Sequence, residues 1–579
     1  MKSPHLFSVK QNLLIIISFI IIVLLYTFYT IQINNYEKYN TKGSHNSLRK
    51  IISKAPRGII YDRNNMPLVD NRPIYSMSLI PFDAKFFNFS LFHEITGIDS
   101  ISIKKIISRH SNRRTKFKPI IIKDHIGFND RSIIEEYKLD LPGIRFTSFP
   151  ARIYPSDANM SHLLGYLRKV TKHVLELDGN ENIYKADDVF GFSGVEKIYE
   201  TNLKGDDGVE FHIVDVFGVE HGILKTKDDY PVVSGQDLQL TIDVNMQVLA
   251  ENLLSGKKGA IISMNPANGD IYALASSPIF DLASFIGPIP YNKWNELRSN
   301  VDNPLLNRGI QGLYPPGSIF KLILAAYALE NKIIDSNWSI NCVGAIEFGD
   351  RIFKCWNEHG HGNVNLNESI VNSCNIFYYN LIQKVPFNQW TKIVEEFGFG
   401  SKTQIDLPNE KVGIVPSRSY MNDTYGRWGW GKGSLLNFAI GQGDVLVTPI
   451  QIIQIINAIS MKGKIFQPKL NHNIDSLFRY VDLSLNTWLN LNKTIFNTVN
   501  SSSGTGYRAK LEIDNANVYG KTSTSQNPHG ETHSGFAGYI ELLDNKKMSI
   551  VVIVENGGKG SGVATEFANK LFKYFAHNY

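Results

Sequence analysis

Ser318 and Lys321 stand three residues apart in Tyr314-Pro315-Pro316-Gly317-Ser318-Ile319-Phe320-Lys321. Two prolines and a glycine close an irregular segment, and an apolar run from Ile319 to Leu329 follows. Proline just ahead of a helix is favoured because first-turn N–H groups lack partners anyway. The pattern predicts a helix with Ser318 at its N-terminus, which puts Ser318 and Lys321 on one face about one turn apart. An amine there can take the proton of a hydroxyl, which is a weak nucleophile without a base. N–H groups at a helix start can also receive a developing oxyanion. Ser-x-x-Lys alone is common on exposed helices, where it is only a solvated pair. Here the run is apolar, and a buried lysine needs a reason.

Two later groups could serve the same chemistry. Ser373-Cys374-Asn375 lies between a helical run and the aromatic-rich Ile376-Phe377-Tyr378-Tyr379. A serine and an asparagine two apart on a turn can offer one cleft a hydroxyl relay and an amide. Lys521-Thr522-Ser523-Thr524 follows Gly520 on an expected strand. A lysine flanked by hydroxyls can hold a carboxylate by charge and hydrogen bonds. The plainer alternative is an edge strand protected by a lysine.

The three cysteines, Cys342, Cys355 and Cys374, all fall between the first and third of these groups. His361 lies among them in Glu358-His359-Gly360-His361-Gly362, with His359 as an alternative ligand. Four soft ligands are what a closed tetrahedral zinc site needs. One disulfide with one buried thiol is equally compatible with the spacing.

These groups need a scaffold. The 579 residues leave room for two or three domains and a sizeable core. Charge is balanced, 60 Lys and Arg against 54 Asp and Glu, with no basic block that would argue for nucleic acid. Leu13 to Ile31 is almost wholly apolar and long enough to cross a hydrocarbon core of about 30 Å. No small-residue cleavage site follows, so an uncleaved anchor is expected. Lys2 and Lys10 precede it, which places residues 1–12 in the cytoplasm, 13–33 in the membrane and the rest outside. Tyr26 and Tyr29 mark the outer interface.

Residues 34–237 alternate short β-rich runs with charged helical stretches such as Ser132 to Tyr137, which reads as a non-catalytic α+β module. Three islands in it, around Arg57, Arg152 and Glu196, read as turn glycines beside ion-pairing residues. Residues 238–579 read as one α+β domain. A strand is expected at Leu238 to Asp243, a hairpin about Asn268-Gly269-Asp270, and strands at Val518–Thr524, Phe536–Glu541 and Met548–Val554 before a final helix from Val563.

Ser-x-x-Lys, Ser-x-Asn and Lys-Thr-Gly, in that order, mark penicillin-binding proteins and serine β-lactamases. Asn307 through Ser318, Ile440-Gly441-Gln442-Gly443 with Thr448-Pro449, and Gly535-Phe536-Ala537-Gly538-Tyr539 resemble class B penicillin-binding proteins. The three N-terminal islands resemble that class's dimerisation or pedestal module. Two positions depart from it: Ser523 and Asn65 stand where the family has glycine. A side chain at 523 is expected to narrow the cleft, whereas asparagine tolerates the same left-handed backbone.

The resemblance implies a serine-type D-Ala-D-Ala transpeptidase or carboxypeptidase in the bacterial inner membrane. Lys321 would activate Ser318, and Ser373, held by Asn375, would return the proton to the leaving D-Ala. Lys521, Thr522 and Thr524 would hold the terminal carboxylate, and the N–H groups of Ser318 and Thr524 the oxyanion. Stem peptides of peptidoglycan would be substrates and β-lactams inhibitors. The cysteine-rich stretch resembles the elongation-specific subgroup, which carries zinc there. That implies a structural Zn2+ on Cys342, Cys355, His361 and Cys374, a role in rod-shaped growth, and a glycosyltransferase partner of the shape, elongation, division and sporulation family. A division-specific transpeptidase would lack the cysteine cluster. A tethered β-lactamase would not need the long N-terminal module, and a β-lactam sensor would need a cytoplasmic effector.

Overall fold

The computed structural model describes every residue except 1–3, 37–47, 111–115, 118, 177–182, 186–187, 215–219, 226–228, 288, 336 and 528–529. Helix α1 runs Pro4–Tyr29 and continues through one π turn, Thr30–Asn34. Among the described residues it is the one helix long and apolar enough to cross a membrane, over Lys10–Asn34. Its leucines and isoleucines from Leu13 to Leu25 are exposed, as a lipid-facing helix requires. Lys2 lies outside the described residues.

Two compact units follow, each discontinuous in sequence. The first comprises Met1–Pro56, Pro73–Ala151 and Gly205–Gly235. In it, Leu48–Ser53, Gly208–Val214 and Glu220–Leu224 form a three-stranded sheet. Met77, Phe92, Ile103 and Ile134 form its core. The helix expected at Ser132 to Tyr137 begins earlier, at Phe128, because Gly127 supplies the extended N-cap.

The second unit comprises Arg57–Arg72, Arg152–Lys204 and Gln236–Tyr579, so the 34–237 stretch contributes to both units. Here the three islands meet. Glu196 is wholly buried between Arg57 at 2.7 Å and Arg152 at 2.8 Å, and Arg57 also reaches Glu200 at 2.6 Å. Burial pushes the Glu196 carboxyl up, but the two guanidiniums pull it further down, and it stays ionised. Removing one partner of a buried pair strands the other charge, at about 3–5 kcal/mol. Glu196→Ala should therefore lower thermal stability by that order, measured by unfolding of the full chain in detergent. A change within error would show that both guanidiniums find other partners. Asn65 takes φ 62°, the left-handed turn its type permits.

Helix α2 (Val244–Leu254) is capped by Asp243, whose Oδ1 accepts from Asn245 and Met246 at 3.0 Å each. The strand expected over Leu238 to Asp243 is shorter, because beyond Gln239 the chain turns to a different partner and Leu240 bridges Asn471. Only Leu238–Gln239 pairs as strand, parallel to Ile60–Tyr61. The central sheet has five antiparallel strands: β1 (Gly259–Met264), β2 (Ile271–Ser277), β3 (Ala516–Ser525), β4 (His533–Leu542) and β5 (Lys547–Val554). Their order is β2-β1-β5-β4-β3, so the expected hairpin and the expected C-terminal strands join in one sheet.

Strand alternation sorts side chains into two cores. Ile262, Val551 and Ile553 pack with α3 (Lys321–Glu330) and α5 (Pro449–Ser460). Ile261, Val552 and Val554 pack with α2 and α6 (Val563–Asn578). A sheet covered on both faces buries every position, so β1 and β2 are nearly continuous apolar runs, and the serines among them, Ser263, Ser276 and Ser277, are hydrogen-bonded. The mixed α+β class expected from the sequence is what forms, with helices on a central antiparallel sheet. β3 lies at one edge and leaves a strand edge open beside the start of α3.

Candidate active site and metal centre

The α-helix does not begin at Ser318. Gly317–Phe320 is a 3-10 turn, and α3 starts at Lys321. Gly317 at φ +56° turns the chain into it, and Ser318 is left half-buried. Among the described residues the Ser318 hydroxyl has no hydrogen-bond partner, as suits a nucleophile awaiting a substrate.

Lys321 is wholly buried on the first turn of α3. Its Nζ donates to Ser373 O at 2.9 Å and Asn375 Oδ1 at 2.8 Å, and lies 3.4 Å from Ser373 Oγ. Burial pulls its pKa down to about 8, and the nearby thiols of Cys374 and Cys355 offset part of that. A neutral amine has two N–H bonds and one lone pair. Three oxygens, Ser373 O, Ser373 Oγ and Asn375 Oδ1, lie within donating reach of Nζ, and only the neutral amine keeps a lone pair that could take a proton from a hydroxyl. These bonds join Lys321 of the first sequence group to Ser373 and Asn375 of the second at one atom.

Ser373 sits at φ +54° and is nearly buried. Cys374 follows as N-cap of α4 (Asn375–Ile382). Lys521 is buried on β3, with Thr522 O at 3.4 Å as its hydrogen-bond partner and no acidic partner among the described residues. Burial and then the charge of Lys321 hold its pKa well below the usual lysine range. A substrate carboxylate would supply the missing counter-charge. Thr522 Oγ1 donates to Thr505 Oγ1 at 2.9 Å, and Thr524, exposed, accepts from Gly560 N at 2.9 Å.

Sequence reasoning gave no role to Thr505 or Gln442. Gln442 donates to Thr524 O at 3.1 Å and accepts from Gln526 N at 3.2 Å, so it sets the end of β3. Its Gly-Gln-Gly setting was visible as a motif. Nothing in the sequence around Thr505 points to β3.

The expectation for Ser523 is corrected. Its side chain is 1% exposed, and its hydroxyl donates to Pro316 O at 2.7 Å, inward and away from solvent.

Cys342 ends one strand (Ser339–Cys342), Cys355 follows another (Arg351–Lys354), and His361 precedes a third (Gly362–Asn365). With Cys374 their ligand atoms lie within 4.8 Å of one another. His361 Nδ1 stands 3.5 Å from Cys342 Sγ and 3.6 Å from Cys355 Sγ. Sulfur at 2.3 Å and nitrogen at about 2.0–2.1 Å from one tetrahedral zinc would be about 3.6 Å apart, so the donor set fits the ion. All three cysteines are free thiols, which removes the disulfide alternative. The hydrogen bond between Cys374 and Cys355 pushes Cys355 down toward the thiolate and Cys374 up toward the thiol, so the two share one proton. His359 is exposed and outside the cluster.

The family model for the penicillin-binding protein transpeptidase domain matches residues 259–573, and that for the penicillin-binding protein dimerisation domain matches 52–240. The chain belongs to the penicillin-binding protein transpeptidase family. The relatives of this penicillin-binding protein include the peptidoglycan D,D-transpeptidase MrdA of Acinetobacter baumannii, 30% identical over 97% of this chain and 86% of its own length. MrdA of Escherichia coli is 27% identical over 94% of this chain and 90% of its own. Penicillin-binding protein 2 of Helicobacter pylori, solved in complex with MreC, covers 91% of this chain and 99% of its own, with a TM-score of 0.76 and 28% identity. The penicillin-binding protein therefore shares both the catalytic domain and the N-terminal module with these relatives.

Proposed function

We infer that this chain is a peptidoglycan D,D-transpeptidase of cell elongation, anchored by α1 with its catalytic domain outside the plasma membrane. The observation that carries the chemistry is Lys321, wholly buried three residues from Ser318, with its amine held against the Ser373–Asn375 turn by Ser373 O, Ser373 Oγ and Asn375 Oδ1. The relatives' shared activity supplies the substrate class.

The C-terminal D-Ala-D-Ala of a stem peptide pairs along the open edge of β3, as an added strand. Its carboxylate meets Lys521, Thr522 and Thr524. Lys321 takes the Ser318 proton as Ser318 Oγ attacks the penultimate carbonyl carbon. The N–H groups of Ser318 and Thr524 hold the oxyanion. As the peptide C–N bond breaks, Ser373 passes its proton to the departing D-Ala and regains one from Lys321, whose Nζ lies 3.4 Å from Ser373 Oγ. An amine of a neighbouring stem then attacks the ester, forms the cross-link and releases Ser318. Water in place of the amine gives the carboxypeptidase reaction. Incubation with a stem-peptide donor and an amine acceptor tests this: an aminolysis product supports the reading. Hydrolysed β-lactam with no peptide product defeats it.

The elongation role and the anchor make a membrane glycosyltransferase that supplies glycan strands a fitting partner. Cys342, Cys355, His361 and Cys374 would hold one zinc, which would supply a charged tetrahedral fastening with no open position for water. Because Cys374 lies between Ser373 and Asn375, that fastening would pin the turn holding Lys321. Purified protein should contain one zinc per chain, and chelation should slow acylation by about tenfold while lowering stability. No stoichiometric zinc, or full affinity in Cys342→Ala, would contradict this ligand set.

A further inference from the structure

Three hydrogen bonds hold the segment in front of Ser318, and two come from the same strand. Ser525 Oγ donates to Pro315 O and Ser523 Oγ donates to Pro316 O, the latter at 2.7 Å. Gly317 N donates to Gly441 O at 2.9 Å. The Pro316–Gly317 peptide is therefore gripped at both ends, its oxygen by β3 and its N–H by the Gly441 turn. It is the peptide immediately before Gly317, whose φ of +56° turns the chain to Ser318. Glycine is the residue most free to rotate there, so an ungripped plane would swing about it.

The surroundings fit a hydroxyl at 523 closely. A Cβ on Gly317 would stand 2.3 Å from Ser523 Oγ, and one on Gly535 would stand 3.1 Å from Ser523 Cβ. Ser523 and Ser525 are both buried, so their hydroxyls are not solvent-facing decoration. A buried prolyl carbonyl needs a donor, and the Gly317 N–H beside it is already given to Gly441 O.

We propose that Ser523 is a positioning residue for the nucleophile, clasping Pro316 O to β3 and so fixing the Ser318 hydroxyl and N–H against the strand edge. The departure from the glycine of related proteins thus tightens the catalytic segment rather than narrowing the cleft. The proposal rests on the acyl-enzyme reading above. The clasp acts on the step in which Ser318 reacts and leaves the initial encounter with ligand unchanged.

The experiment measures acylation of the full chain in detergent by a fluorescent penicillin, separating the acylation rate constant from the encounter Kd. Ser523→Ala and Ser523→Gly should each lower the rate constant by about threefold to tenfold at unchanged Kd. Ser523→Thr keeps the hydroxyl and should restore it, a recovery that mere packing would not give. Amide exchange at Gly317 should quicken in Ser523→Ala. Faster or unchanged acylation in Ser523→Gly, or a slow Ser523→Thr beside a slow Ser523→Ala, overturns the proposal. Wild type that is never acylated would instead overturn the transpeptidase reading on which it rests.

Discussion

Ser318→Ala should leave a folded protein that takes up no penicillin and forms no cross-links. Among the three motif groups, Ser318 alone combines partial exposure, a hydroxyl without a partner and a buried amine one turn on. The substitution removes the oxygen proposed to carry the acyl group. It costs little in stability, because the lost hydroxyl makes no hydrogen bond among the described residues. Fluorescent-penicillin labelling beside thermal unfolding reads both effects. Retained labelling at an unchanged rate would mean that another hydroxyl is the nucleophile.

Lys321→Met should cut acylation by about a hundredfold to ten-thousandfold, the usual worth of a general base. Methionine fills the same buried volume without a charge, so the loss reports chemistry more than packing. The pH profile gives an independent reading. Lys321 works as the neutral amine, and burial brings its pKa to about 8. The wild-type rate should therefore climb as pH rises toward about 8 and level off above it, while Lys321→Met loses that climb. A flat wild-type profile between about pH 6 and pH 9, or a Lys321→Met rate within tenfold of wild type, would remove Lys321 from the role of base.

The catalytic groups were legible because covalent chemistry constrains residue type and local spacing. Ser318 and Lys321 needed only a helical turn, and Ser373 and Asn375 only one bend. What was not legible depends on partners far away in sequence. The helix was expected at Ser318, but the Pro316–Gly317 peptide is held by β3 and the Gly441 turn, and that grip accompanies a 3-10 turn before the α-helix. Ser523 shares its strand parity with Lys521, which the two-residue period does show. That this parity faces the Ser318 segment is set by the face of the sheet on which the Pro315–Phe320 segment packs. The three islands were readable as ion-pairing residues, yet their meeting at Glu196 joins segments more than a hundred residues apart at the extreme. Four metal-type residues were visible as a pattern. His361 was named with His359 in reserve, and the three short strands that bring Cys342 and Cys355 to His361 Nδ1 leave His359 outside the cluster.

The central claim is that Ser318 forms the acyl-enzyme. The most direct measurement is mass mapping of the full-length protein after brief incubation with benzylpenicillin and proteolysis. The account predicts one modified peptide, carrying a penicilloyl ester on Ser318, and none in Ser318→Ala. A penicilloyl group on Ser373 or elsewhere, or turnover of the penicillin with no ester formed at all, would contradict it.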